Sequence, residues 1–304
     1  MSAQLARVHK KPLSRYEKKE ALTGLLFVLP YLALFVLFTG IPFIAAFALS
    51  FFNVKFISRL DNLRFVGVDN FIRAFQSKET MAALGRSGTY SLIYVPLIMV
   101  LGFALAYLLN KEVYCKKLIR STVFLPYVSN LIAIGVVFKL LLNTRGPMAG
   151  MYALLGMDRP LFLSLQWALP TVAVIAVWKG IGLNMLTFLG ALQNVPRELT
   201  EAAQIDGANK WQQVRNVVIP SISGISFFLL ISSIITSLQN YTIIQAFTEG
   251  GPGQASTTMA ISIVKTAFTS FETSFASAQA LIVFAIVMLF TAFQWRGQQK
   301  MASN

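Results

Sequence analysis

Residue types that make and break covalent bonds are scarce in this sequence. A single cysteine, Cys115, excludes an internal disulfide and a Cys-rich metal site, and a single histidine, His9, argues against hydrolytic metal chemistry and Ser/His or Cys/His nucleophile pairs. The polar groups that stand out suit binding instead. The stretch PRELTEAAQIDGANKWQQVRNVVIP, from Pro196 to Pro220, carries Glu198, Glu201 and Asp206 between two long apolar runs. Further on, Ser233, Thr236, Ser237 and Asn240 recur at i, i+3, i+4 and i+7, a spacing that lines up hydrogen-bonding groups on one helix face. Lys179 sits inside an apolar run, where a cation could attract a carboxylate or phosphate, snorkel, or pair with a carbonyl.

The elements that must position these groups are membrane helices. With 56% hydrophobic and 12% charged residues and a mean hydropathy of +0.64, there is too little polar surface to cover a water-soluble globule. Runs near the roughly 20 residues needed to cross a bilayer occur at 21–52, 89–109, 118–142, 165–192, 217–247 and 276–295. The expectation is an all-α membrane protein with six transmembrane helices in a domain over 21–296, a basic tail over 1–20 and a short tail over 297–304. Pro30, Pro42, Pro96, Pro126 and Pro170 fall in or beside these runs and predict kinks. The first run is too long for a cleaved signal segment and is expected to be retained.

The net charge of +14 is interpreted by topology rather than as a nucleic-acid surface. Placing the N-terminus in the cytoplasm puts 15 Lys and Arg on that side and 9 on the other, with Lys139 and Lys179 inside spans. Six of the nine lie in one long loop, so the short loops support cytoplasmic N- and C-termini. That loop, 53–87, contains FVGVDNFIRAFQS and forms either an interfacial or capping helix or an ordinary connection. The TEGGPG loop is a poor phosphate cradle, because no Lys-Ser/Thr follows its glycines.

Within the polar insert, Asn194 is expected to N-cap a helix with Pro196 in its first turn, and Glu198 and Glu201 complement the helix dipole. Leu199, Ala202, Ala203 and Asp206 share a low-profile face, Gly207 ends the turn, and Asn209 starts a second segment reaching Pro220. Physics alone leaves two readings open: a solvated connection, or a docking surface for a cytoplasmic partner.

EAAQIDGANKWQQVRNVVIP closely resembles the EAA loop of ABC importer permeases: Glu-Ala-Ala, three residues, a glycine, nine residues, then an Ile-x-Leu-Pro ending, here Val217-Val218-Ile219-Pro220. FVGVDNF, RSTVFLPYVSNLIAIGVVFKLLLNTRGPMAG, VWKGIGLNMLTFLGALQNVPRELTEAA and TEGGPGQASTT resemble the carbohydrate-uptake branch, which includes maltose and glycerol-phosphate importers, and its MalF-like subunit. A tryptophan common in that branch near Phe138 is absent.

The resemblance implies a type I ABC importer permease architecture in the bacterial inner membrane. It implies partnership with a second homologous permease, a dimeric cytoplasmic ATPase and an extracytoplasmic solute-binding protein. Glu198, Glu201, Ala202, Ala203, Asp206 and Gly207 would form the coupling helix, with Glu201 meeting a basic residue of the ATPase and Gly207 making the bend. No cofactor is expected here; ATP and Mg would bind the ATPase, as this chain lacks GxxxxGK[ST]. Alignment with the maltose importer's sugar contacts lands on Ser233, Thr236, Ser237 and Asn240, and on Ala176, Lys179, Gly180 and Leu183. The second set differs from the maltose residues, which argues against maltose itself.

The function implied is ATP-driven import of a sugar or oligosaccharide, with an acidic saccharide or glycerol phosphate as the alternative. For the polar stripe the competing role is hydrogen bonding between helices. A secondary transporter would ordinarily need carboxylates inside the spans, and the six runs offer none.

Overall fold

The computed structural model describes residues 15–54, 63–111, 113–143, 145–154, 156 and 164–302. Arg7, His9, Lys10 and Lys11 of the basic tail, and Lys55, Arg59 and Arg159 of the loops, lie outside the described residues.

The chain divides into two units, Met1–Leu49 and Ser50–Asn304. In the first, α1 (Arg15–Phe35) and α2 (Ile41–Leu49) are joined by a π turn over Val36–Gly40, giving an apolar segment from Lys19 to Leu49. The most apolar window of that segment buries no residue within the chain, the pattern of a helix that meets lipid or another subunit. The π turn has an identifiable cause. Pro42 lacks an N–H, and its ring would crowd the carbonyl four residues back; the Ile41 N–H bonds to Val36 O instead, widening the helix just before the proline.

The second unit is built around α4 (Lys78–Asn110) and α8 (Ala168–Gln193). Ser77 caps α4, its side chain accepting from the Thr80 N–H, and Glu79 complements the dipole in the first turn. The helix therefore begins well before the apolar run at 89, and its 33 residues extend beyond a bilayer core of roughly 30 Å. Ahead of it, α3 (Asp69–Gln76) realises the capping-helix alternative for the long loop. Asn70 holds it down, donating to Ser50 O and Phe52 O at 2.8 Å. A two-residue antiparallel pair, Phe52–Asn53 with Arg64–Phe65, closes the loop.

The third apolar run is two helices, α5 (Lys116–Val128) and α6 (Leu131–Leu141), bent by 98°. The break has a local code: Pro126 sits in the last turn of α5, and Asn130 accepts from the Ile132 and Ala133 N–H groups to start α6. After the short α7 (Ala149–Leu154) and α8, the insert forms α9 (Arg197–Ile205), α10 (Lys210–Gln213), a π turn over Val214–Val218 and α11 (Ile219–Ser221). Pro220 again follows a π turn, with the Ile219 N–H on Val214 O. A 75° bend leads into α12 (Ser223–Gln239), then α13 (Thr242–Phe247), α14 (Met259–Phe268) and α15 (Thr273–Ala302).

Among the described residues, four segments are long and apolar enough to cross a membrane, and six if each bent pair counts as one span. The core lies along the α4–α8 seam. At one end Tyr90, Tyr94 and Ile98 pack with Val172, Ile175 and Ile244; at the other, Ala106, Leu109, Phe188 and Leu192 pack with Val218 and Ile222. Helix α5 joins at Gly182, where a Cβ would fall 2.6 Å from Val123 O and 2.8 Å from Phe124 Cα. Only a residue without a side chain admits that approach.

Gly182→Val is expected to push α5 off α8 and destabilise the detergent-solubilised protein by about 1–3 kcal/mol, the usual range for overpacking. A thermal unfolding curve no lower than wild type would contradict the seam.

Candidate docking helix and interhelical polar cluster

The N-cap of α9 is Pro196, two residues after the expected Asn194. Leu192 is still buried in the core, so α8 continues to Gln193 and Asn194 becomes its C-cap, with Nδ2 donating to Gly190 O at 2.9 Å. Pro196, extended at φ −58° and ψ 131°, is the N-cap of α9 and contributes no side-chain bond. Glu198 lies in the first turn, as expected.

The end of α9 matches the sequence closely. Gly207 adopts φ +81°, its N–H bonds to Gln204 O at 3.1 Å, and the Ala208 N–H returns to Ala203 O at 2.9 Å. This is a Schellman closure, which requires a left-handed residue at the glycine position. Two residues on, Asn209 and Gln212 form a reciprocal capping box at 2.8 and 2.9 Å. Two helical segments thus meet at a defined corner.

What α9 lacks is burial. None of its residues is buried: Glu198, Glu201 and Ala202 are exposed, as are Asp206 and Gly207 just beyond it, and Ala203 is half-buried. Ile205 is 87% exposed and Trp211, on α10, 70%. A helix with no core contact of its own, held by caps and presenting Ile205, has the form of a surface that another protein covers.

Inside the apolar layer, the expected stripe divides. Helix α12 ends at Gln239, so Asn240 lies beyond the helix, at φ −75° and ψ 89°, and does not continue the i+7 face. Its Nδ2 instead donates to the Tyr90 hydroxyl on α4 at 2.7 Å. Ser237 is buried, sharing a 2.6 Å hydrogen bond with Ser91 and donating to Ile234 O. Ser233 is also buried, whereas Thr236 is exposed. For Ser237 and Asn240 the interhelical role is the one observed.

From α8, Ala176 is buried in the core, Leu183 is 41% exposed, and Gly180 lets Tyr94 and Ile98 approach. Lys179 donates to Tyr127 O at 2.9 Å and lies 5.4 Å above the Tyr127 ring. Tyr127 is in the last turn of α5, where carbonyls lack intrahelical partners and the helix dipole is negative. The cation thus caps α5 at its 98° break.

Two residues that the sequence reading passed over connect these groups. Tyr90 and Tyr94 stack with centroids 5.8 Å apart; Tyr90 accepts from Asn240, and Tyr94 lies against Gly180. Their i, i+4 spacing in an apolar helix, with both hydroxyls on one face, was the available signal.

A family model described as binding-protein-dependent transport system inner membrane component matches residues 98–301. The chain is 29% identical over 290 residues to the lactose transport system permease protein LacF of Rhizobium radiobacter, covering 94% of this chain and 95% of that protein. It is 32% identical over 234 residues to the sn-glycerol-3-phosphate transport system permease protein UgpA of Yersinia pestis, covering 76% and 79%. In fold it is similar to a chain of the bacterial alginate ABC transporter crystallised with an alginate pentasaccharide-bound periplasmic protein. The TM-score is 0.75 at 23% identity, covering 92% of this chain and 96% of that one.

A double-mutant cycle of Tyr90→Phe and Asn240→Ala in thermal unfolding should give a coupling of about 0.5–1.5 kcal/mol, typical of membrane interhelical hydrogen bonds. Lys179→Met should cost about 1 kcal/mol and Lys179→Arg less, because Arg retains the charge at the end of α5. Additive substitutions in the first case, or Met and Arg behaving alike in the second, would remove the respective interaction.

Proposed function

The chain belongs to the family of binding-protein-dependent transport system inner membrane components, and from that membership we propose how its parts divide the work of import. It is a permease subunit of an ABC importer of the sugar and glycerol-phosphate type, and a non-catalytic one. A solute-binding protein is its partner on the delivery side.

The observation that carries the proposed coupling is α9: defined at both ends, acidic at its start, and buried nowhere. It docks on a dimeric cytoplasmic ATPase that binds ATP and Mg, with Glu198 and Glu201 facing cations and Ala202 and Ala203 permitting close approach. Gly207 fixes the corner through which ATPase closure moves the membrane helices. A second, homologous permease completes the pathway, and both termini lie in the cytoplasm of a bacterial cell, the arrangement supported by the 15-to-9 charge bias.

The substrate is a sugar or oligosaccharide. Thr236, Leu183 and the half-buried Lys179, Gly180 and Asn240 are the groups open enough to meet it, while Ser233 and Ser237 stiffen the wall behind. The pairing of Lys179 with Tyr127 O uses its charge within the protein and so weakens the argument for an acidic substrate.

Reconstituted with its partners, the importer should take up sugar only with ATP. Glu201→Ala should reduce uptake about tenfold or more, the effect of losing 1.4 kcal/mol or more at an interface. Gly207→Pro should do at least as much, because proline cannot reach φ +81° and would delete the N–H that bonds Gln204 O. Solute movement by this chain alone, indifferent to ATP and to both substitutions, would overturn the assignment.

A further inference from the structure

We propose that the root of the docking helix holds an anionic glycerophospholipid. Two cavities share Tyr107 and Lys111 in their linings. One, of about 240 Å³, is mixed in its lining, with Asn110, Lys111, Arg197, Thr200 and Gln213 set beside Leu192, Val195 and Val218. The other, of about 700 Å³, is an apolar groove formed by Met99, Phe103, Leu108, Phe188 and Val214, with Lys210 and Trp211 on its border. A small cavity with two cations in its lining, beside a larger apolar groove, fits an amphiphile, phosphate in the first and acyl chain in the second.

Charge identifies the headgroup. Among the described residues lining the two cavities none is acidic, whereas Lys111, Arg197 and Lys210 are basic. The Lys111 ammonium lies 4.6 Å above the Tyr107 ring, at the boundary the cavities share. Position identifies the source. Lys111 follows the last residue of α4, and Tyr107 and Trp211 stand beside it, the residue types that mark a membrane–water interface. Val100 and Leu108 on the groove are 65% and 55% exposed, so it opens from the side of a membrane helix. An apolar helix from another subunit could fill the groove, but offers no anion to the exposed Lys111, Arg197 and Lys210 around it. A phospholipid satisfies both compartments.

Arg197 and Thr200 belong to the first turns of α9, so a bound lipid ties the docking helix to the bilayer beside it. This holds whichever side of the membrane the insert occupies, and the test reads lipid rather than transport.

The full chain, purified in its native complex and exchanged into mixed phosphatidylglycerol and phosphatidylcholine, would be examined by native mass spectrometry. Wild type should retain phosphatidylglycerol about tenfold over phosphatidylcholine, from two or three lysine or arginine contacts. Lys111→Gln with Lys210→Gln should remove most of that preference. Ala104→Trp, which fills the apolar groove and leaves the cations in place, should lower retention of the same lipid. Equal retention of the two lipids by wild type would overturn the proposal, as would unchanged retention in both variants. Displacement by inorganic phosphate alone would assign the cavity to a free anion. A photo-crosslinker at position 104 that captures a protein subunit in place of lipid would assign the groove to that subunit.

Discussion

The α4–α8 seam is the contact on which the rest of the second unit depends. Where lipid offers no hydrogen bonds, helices are held by close packing and by the few polar groups they exchange. The seam provides both. Gly102 and Gly180 thin the two surfaces so that Asn184, Tyr94 and Ile98 can close in. Several helices then attach to this pair by particular devices: α5 by the bare face of Gly182, α12 by the Ser91–Ser237 bond, and the α12–α13 junction by Asn240 on Tyr90. The Gln279 amide of α15 donates to the Thr80 hydroxyl at the start of α4, anchoring the last helix to the same element.

Much of this was legible in the sequence wherever the signal was local. Apolar run length pointed to long apolar helices, because a hydrocarbon layer sets a minimum length that composition reveals directly. Gly207 and Asn209 were readable for the same reason: a left-handed corner and a helix cap are decided within a few residues. Asn194 misled because a capping residue serves either end of a helix. Which end it serves depended on Leu192, still buried in the core, so that α8 runs on to Gln193 and Asn194 closes it.

The interior polar groups were harder for a physical reason. A helical stripe of Ser, Thr and Asn has one spacing whether it faces a solute or a neighbouring helix, and the neighbour is a tertiary fact. Asn240 left the stripe because α12 stops before it, and Lys179 found its carbonyl only because α5 ends at Tyr127 and Val128 beside α8. The breaks were partly announced, since Pro126 and Asn130 are the residues expected around a helix boundary. Their consequence, a 98° turn, needed the packing partner to be known. Proline alone does not determine a bend. Pro96 lies within the continuous α4, while Pro42 and Pro220 each follow a π turn that takes up the missing donor.

The insert's stiffness bears on how motion could pass from the docking helix into the membrane. Helix α9 contributes no buried residue, so its position relative to the membrane helices is set by the short link from α8 before it and by the chain that follows it. The Schellman turn at Gly207 and the capping box at Asn209 remove most backbone freedom from that link, and the π turn ends in Val218, which is buried with Ile222 against Phe188, Leu189 and Leu192. A push on α9 under the proposed coupling therefore arrives at the end of α8 and at the 75° bend into α12. Tight packing there resists gradual deformation, so displacement is absorbed by repacking one cluster against another. That cluster closes one end of the α4–α8 seam, and the Tyr90–Tyr94 and Asn240 groups lie toward the other. Under the proposed coupling, the polar insert would act as a lever with the buried pair Val218 and Ile222 as its fulcrum.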